Sequence, residues 1–382
     1  MKTRLIIASD ISKDDEARWR GLAERALEPN PYAEPDFFLV SSRHFKGYAN
    51  ATLVIAEEGT EFRAVLPIAA IGKRRPMPRR IAETRSSPTA VFGIGTPLID
   101  RTKAEQSTVG LVEALGRAGK SSNFPGILSI ERLRTEGPIF ALLRTVCTER
   151  NLPFLVRDAW QYGAVTRTGD WSSPVQGKRR REIERRLRQL AKETGEEVTL
   201  VDRGQDPSAF EDFLRLEASG WKSGPGGGAF ALRRDTVEWF HEWSQRWGAT
   251  DRVTALTLCV GATPVAMNYF VRAGEGIFAF RMGNDDSYAR YSPGTILTYL
   301  SLNYLRDHTD ATWLEAPTDK DNWTLRLLPE RRTLSNVLIG TGGLLDRTLV
   351  SAVPAMEKLI ALPGQARTRW SQLHKPAPGL TP

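Results

Sequence analysis

Residues 292–295 read Ser-Pro-Gly-Thr and open an apolar run, PGTILTYLSLNYLRD, directly after the strand-like GIFAFRM. Ser292 can cap a helix, Pro293 suits a first turn, and Ile296, Leu297, Leu300 and Leu305 recur at helical spacing. Gly294 is the odd residue, because glycine there costs about 1 kcal/mol against alanine unless something must approach the backbone. A helix start favours an anion, whose charge meets unpaired N–H groups and the positive end of the helix dipole. A second candidate is Glu217, on one helical face with Phe210, Phe213, Leu214 and Trp221. A carboxylate on an apolar stripe must be paired or used, since burial alone costs several kcal/mol and raises its pKa. Two readings stand side by side: a general base, or a carboxylate locked to Lys222 or a backbone amide. The third group is Glu315, Asp319 and Lys320. Ala316-Pro317 should end a strand and bring these polar groups to its C-terminal end, near the Ser292 helix. They can orient and deprotonate an acceptor, or form a structural ion pair.

Other chemistries lose support. The four histidines, His44, His241, His308 and His374, have no second ligand at i+3 or i+4, which argues against zinc and against a histidine triad. There is no G-x-S-x-G and no G-x-x-x-x-G-K-[ST], and GIGTP at 93–97 lacks the third glycine and the following helix of a dinucleotide fingerprint. Cys147 and Cys259 sit in apolar sequence and read as core residues. The opening MKTRLIIASD is too short in apolar residues for a secretory signal, and no run of about 18 apolar residues follows, so a cytoplasmic protein is expected. A formal charge of +8 suggests a polyanionic partner, which a nucleic acid, a membrane surface or cofactor phosphates would all satisfy.

The elements that must position these residues come in a repeated order. Strand–turn–strand units at 51–71 and 253–273 each surround a glycine turn, and each is followed by an apolar helix and another strand. Later helices are expected in PIFALLRTVCTER and DNWTLRLL. The duplicated order predicts two related α/β units, 1–167 and 168–365, divided in the turn-rich RTGDWSSPVQG, with a flexible tail at 366–382. Directly after the boundary, KRRREIERRLRQLAKE has one apolar stripe of Ile183, Leu187 and Leu190 and arginines over most of the rest. It is either a solvated helix or a basic face for phosphates, RNA or an acidic glycan. GKRRPMPRR reads as a basic loop between strands. WKSGPGGGAF reads as a loop that can close over a substrate, and Trp239, Trp243 and Trp247, at i,i+4 steps, as core.

The second half resembles the CelD/BcsL group of the GNAT acetyltransferase superfamily, proteins associated with cellulose and exopolysaccharide biosynthesis and akin to FemAB-like peptidyltransferases. The matching pieces are the basic helix, the E-x-x-G-W-K run of Glu217 to Lys222, the hairpin LCVGATPVAMNYF, the stretch NDDSYARYSPG and the closing EAPTDKDNW. The first half resembles the group more diffusely, in NPYAEPDFF and in LPI after its hairpin. The resemblance implies tandem GNAT-like units, each a mixed sheet flanked by helices, and direct acyl transfer from acetyl-CoA or another acyl-CoA without a metal. It places Arg290, Ser292, Gly294 and Thr295 at the coenzyme A pyrophosphate, although this chain offers one glycine where the pattern has two small residues. It makes Glu217, Glu315 and Lys320 candidates for the chemistry, and Trp221, Lys222, Asp319 and Trp323 for holding the acceptor, a sugar, glycan precursor or other polar metabolite. A tyrosine that protonates the leaving thiolate in many relatives has no counterpart after the last strand. Two alternatives remain: an aminoacyl-tRNA-dependent transferase of the FemAB type, and a non-catalytic member of a polysaccharide-synthesis assembly.

Overall fold

A computed structural model describes residues 1–48, 50–73, 77–84, 93–120, 124–166, 171, 175, 177–224, 228–318 and 327–373, with side chains through 358 apart from that of Trp221. The first half runs β1 (Lys2–Ile7), α1 (Lys13–Glu24), α2 (Pro35–His44), β2 (Thr52–Glu58), β3 (Glu61–Ile68), β4 (Ala70–Lys73), β5 (Arg80–Thr84), β6 (Leu98–Ile99), α3 (Ala104–Gly119), β7 (Ile127–Arg134), α4 (Pro138–Glu149) and β8 (Phe154–Thr166). The second half runs α5 (Lys178–Thr194), β9 (Val198–Asp202), α6 (Ala209–Glu217), α7 (Arg234–Gly248), β10 (Val253–Val260), β11 (Thr263–Ala273), β12 (Gly276–Asn284), α8 (Pro293–His308), β13 (Trp313–Ala316), β14 (Glu330–Gly340) and α9 (Leu344–Leu373).

Both expected hairpins form, β2–β3 and β10–β11, and each turns on a glycine with positive φ, Gly59 and Gly261, where a side chain would be strained. The helix expected in DNWTLRLL falls mostly outside the described residues. The duplicated order does not give two separate sheets. Strands β1-β2-β3-β6 make a small antiparallel sheet, and the other ten form one mixed sheet in the order β4-β5-β7-β14-β8-β13-β12-β11-β10-β9. β14 comes from the second half, yet it is hydrogen-bonded between β7 and β8 of the first. β13 in turn pairs with β8. The division at 167 therefore cuts the chain without cutting the sheet.

The large sheet has a different core on each face of its second half. On one face α5 and α8 pack through Ile183, Leu190, Ile296, Leu297 and Leu305. On the other, α2, α6 and α7 enclose an aromatic cluster in which Trp239, Trp243 and Trp247 are buried against Phe37 and Phe280. The tryptophan stripe is core, and Cys147 and Cys259 are buried free thiols. No helix among the described residues is long and apolar enough to cross a membrane.

Candidate functional site

The sheet opens between β12 and β13. These two strands pair in parallel only from Gly276 opposite Trp313 to Phe278 opposite Glu315, after which β12 continues to Asn284 while β13 stops at Ala316. At the same point β12 carries a bulge. Its register against β11 passes from Arg281 opposite Tyr269 to Ala279 opposite Phe270, leaving Phe280 as an extra residue. Phe280 and Arg281 consequently reach the same face, Phe280 stacking on Trp243 with ring centres 4.2 Å apart and Arg281 meeting Glu217 on α6. A cavity of about 460 Å³ occupies the gap. α8 contributes Gly294, Thr295, Thr298 and Ser301, the bulged strand Ala279 to Met282, and β13 Leu314 and Ala316. The walls are mostly apolar, with polar atoms at chosen points. Ser301 is 1% exposed, and its hydroxyl has no hydrogen-bond partner among the described residues.

The start of α8 forms as its sequence predicts, but Ser292 does not cap it. Its backbone is left-handed, φ 57° and ψ 58°, and its side chain makes no cap hydrogen bond. Arg186 of α5 donates to the Ser292 hydroxyl instead, which ties the basic helix to the start of α8. A non-glycine residue held in that conformation stores strain of the kind found at ligand-binding turns. Gly294 lines the cavity. A Cβ there would lie 3.2 Å from the Met282 sulfur, so glycine lets α8 approach the strand wall closely. Thr295 also lines the cavity. Arg290 stands outside it, stacked over Tyr291 with its guanidinium 3.0 Å from Glu193 of α5.

Glu217 is fully buried, and it is paired. Arg281 donates to Oε1 from Nε at 2.9 Å and again from Nη2, and the Phe230 amide donates to Oε2 at 2.7 Å. The backbone amide and the Lys222 ion pair were both expected and both form, while the closer cation, Arg281, was not expected. Lys222 lies 3.9 Å from the same carboxylate, lines the cavity and donates to the Met282 carbonyl. Burial, together with the Arg281 charge and against the pull of Glu217, pushes its ammonium down from 10.5 to about 8.

Glu315 lies on the other side of β13 from the cavity. Its neighbours Leu314 and Ala316 line the cavity, whereas its carboxylate accepts from Tyr162 at 3.0 Å and from Arg332, and has Arg134 at 3.0 Å. Two guanidinium groups and a phenol occupy it, so the structure does not bring Glu315 together with Lys222 and Gly294. Asp319, Lys320 and Trp323 lie outside the described residues, as does the side chain of Trp221. The sequence reading missed Arg281, Asn268, Thr298, Ser301 and the bulge. Arg281 did leave a signal: an arginine inside the apolar strand GIFAFRM needs a buried anion, and Glu217 needed a cation.

Residues 177–323 match the family model described as an acetyltransferase (GNAT) domain. That span holds α5, α8, the bulge and the gap. No curated protein matches the sequence. Among solved structures, the chain is similar to FemX, with TM-score 0.59 and 9% identity over 89% of this chain and 97% of that one. It is similar also to the C-terminal domain of a proposed lysylphosphatidylglycerol synthetase from Agrobacterium fabrum, with TM-score 0.52 and 13% identity over 91% and 96%. A third is L-PGS from Bacillus licheniformis, with TM-score 0.53 and 10% identity over 91% and 98%. At these identities the likeness is one of fold.

Proposed function

We propose that this GNAT-type acyltransferase takes its acyl group from an acyl-CoA, acetyl-CoA in the simplest case, and passes it to an amine or hydroxyl of a polar acceptor such as a sugar or glycan precursor. The observation that carries this is the cavity itself, which runs from an uncapped helix start into a gap in the sheet beside a bulged strand. An anionic pyrophosphate suits the α8 start at Ser292, Gly294 and Thr295, with Arg186 and Arg290 adding positive charge nearby. An extended, mostly apolar arm suits the gap between β12 and β13, and the bulge leaves strand amides free of the regular ladder to meet a carbonyl oxygen that turns negative. In the transfer, the acceptor heteroatom bonds to the acyl carbon, the carbon–sulfur bond breaks, and the acceptor's proton passes to a base while the thiolate leaves. Asp319, Lys320 and Trp323 are proposed for the acceptor side, on the resemblance alone.

Calorimetry with acetyl-CoA tests the donor. The whole protein should bind it, and Gly294→Val, which crowds Met282 and the cavity, should weaken binding by about tenfold or more while the protein stays folded. A wild-type protein with no affinity for acetyl-CoA overturns the donor assignment. One observation favours a second reading, an aminoacyl-tRNA donor: α5 leaves Lys178, Arg179, Arg181 and Arg188 exposed on a helix whose Arg186 touches the α8 start. A tRNA complex that weakens steeply with salt would support it. The CelD/BcsL resemblance supports a glycan-related acceptor, and the repeated order of elements supports a division into units 1–167 and 168–365 with a tail beyond.

A further inference from the structure

The candidate bases read from the sequence, Glu217 and Glu315, are both occupied. Glu217 receives two hydrogen bonds from Arg281 and one from the Phe230 amide, and Glu315 faces away from the cavity. Of the described residues that line the cavity, only Lys222 and Arg281 carry a titratable side chain, and Arg281 is bound to Glu217. We propose that Lys222 is the general base of the transfer, its neutral amine taking the proton from the acceptor as the acceptor attacks the acyl carbon. This rests on the acyl-donor reading above.

The amine has two neighbours, the Met282 carbonyl to which it donates and the Glu217 carboxylate 3.9 Å away, and in its neutral form it keeps a lone pair to take a proton. Lys222 sits in the short turn after α6, with about a fifth of its side chain exposed, and donates to the Met282 carbonyl at the edge of the gap. That hydrogen bond orients Nζ beside the bulged strand. Burial does most to make the neutral form accessible, and of the charged groups around Nζ Arg281 adds to this while Glu217 opposes it. Arg281 on β12 repels the ammonium, and Glu217 on α6, which would favour it, lies 3.9 Å off with its charge already committed to Arg281. Asp286, in the turn after β12, stands against Gly220, two residues before the lysine. Burial then lowers the ammonium to about 8, close to where a base is most effective at neutral pH. In the step, the acceptor's N–H or O–H bond breaks, its electron pair forms the new bond to the acyl carbon, and the proton moves to Lys222 Nζ. The carbon–sulfur bond breaks as coenzyme A thiolate leaves, and the lysine ammonium or solvent protonates it.

The test uses the full chain, acetyl-CoA as donor and hydroxylamine as a small acceptor that is mostly uncharged from about pH 7 to about pH 9.5, with the uncatalysed reaction of hydroxylamine with acetyl-CoA subtracted at each pH. The wild-type rate should rise with pH with a midpoint near 8. Lys222→Met should lose that rise and about 10²–10⁴-fold in rate. Lys222→Arg, which keeps a charge but supplies no base, should do the same, and both variants should bind acetyl-CoA within about twofold of wild type. A Lys222→Met protein that keeps the pH rise and a near wild-type rate overturns the proposal. A second readout needs no donor: the pH dependence of Lys222 labelling by trinitrobenzenesulfonate, followed by peptide mass spectrometry. Half-maximal labelling near pH 8 supports the proposal, and an ordinary lysine profile overturns it. Should acetyl-CoA fail to bind the wild type, the donor reading falls and this base assignment falls with it, whereas a wild type that binds acetyl-CoA but fails these tests overturns Lys222 alone.

Discussion

At the scale of single residues, the sequence showed that Glu217 had to be partnered and offered Lys222 and a backbone amide, both of which meet it, but it could not show the closer cation. Its partner Arg281 lies 64 residues away on another element, and helical spacing carries no information about that contact. The same holds for Glu315, whose position at a strand end suggested chemistry, while strand alternation put its neighbours on the cavity and its carboxylate among Arg134, Arg332 and Tyr162. Glu315→Gln should therefore lower stability by about 3–5 kcal/mol, as expected when one partner of a buried pair is removed. Acetyl-CoA affinity should stay nearly unchanged, and Glu315→Gln with Arg332→Leu should recover part of the lost stability. Melting temperatures and calorimetry on the same samples check this; a lost donor affinity with unchanged melting would return Glu315 to the site. Asp100 offers a pH-dependent case. Burial would push its carboxyl up, but hydrogen bonds from Thr102, Arg25 and Arg63 outweigh burial and hold it below the ordinary 3.8. A depressed carboxylate adds stability that is complete above the unfolded pKa and fades as pH falls through the folded one. Asp100→Asn should thus be destabilised at pH 7, with the difference shrinking below about pH 4, the usual unfolded aspartate value. Denaturant melts at several pH values will show a constant difference if this is mistaken.

At the scale of elements, periodicity served well where one face decides the burial. The stripe in α7 and the apolar face of α8 were legible because each repeats at helical spacing against a single core. The bulge at Phe280 was not, since one extra residue in a strand leaves no compositional mark and is set by how β11 and β12 twist together. The turn into α8 shows the limit most clearly. Serine before proline reads as a cap, yet Ser292 is left-handed and its hydroxyl serves Arg186. Ser292→Gly should preserve folding and donor affinity, because glycine takes a positive φ freely. Ser292→Val should cost about 1–3 kcal/mol and weaken acetyl-CoA binding, because a β-branched residue is an outlier there and the α8 start must move to relieve it. Equal affinities in the two variants would show that the strained turn serves packing only.

At the scale of the whole molecule, the duplicated order of elements was visible in sequence, whereas the exchange of strands was not. Pairing partners far apart in the chain are chosen by the assembled sheet, and nothing local in ERRTLSNVLIG says that β14 returns to lie between β7 and β8. The exchange bears on the site. The Pro317 carbonyl, at the turn leaving β13, accepts from the Gly93 amide at 3.2 Å and from Arg132 at 3.0 Å, and Trp160 donates to the Thr318 carbonyl at 3.1 Å. Ala316 and Thr318 line the cavity, so residues of the first half hold one wall of a site built in the second. Separate expression of 1–167 and 168–382 should consequently fail to give donor binding in either piece. The first would keep an open edge on β7 and β8 where β14 belongs, and the second would present unpaired edges on β13 and β14, a template for aggregation. Co-expression of the two pieces should restore a soluble complex that binds acetyl-CoA, because the missing strand pairs can re-form without the covalent link at 167. Calorimetry on each fragment and on the co-purified pair checks this. A soluble second fragment that binds acetyl-CoA as tightly as the intact chain would show that the first half's hold on Pro317 and Thr318 is dispensable for the site.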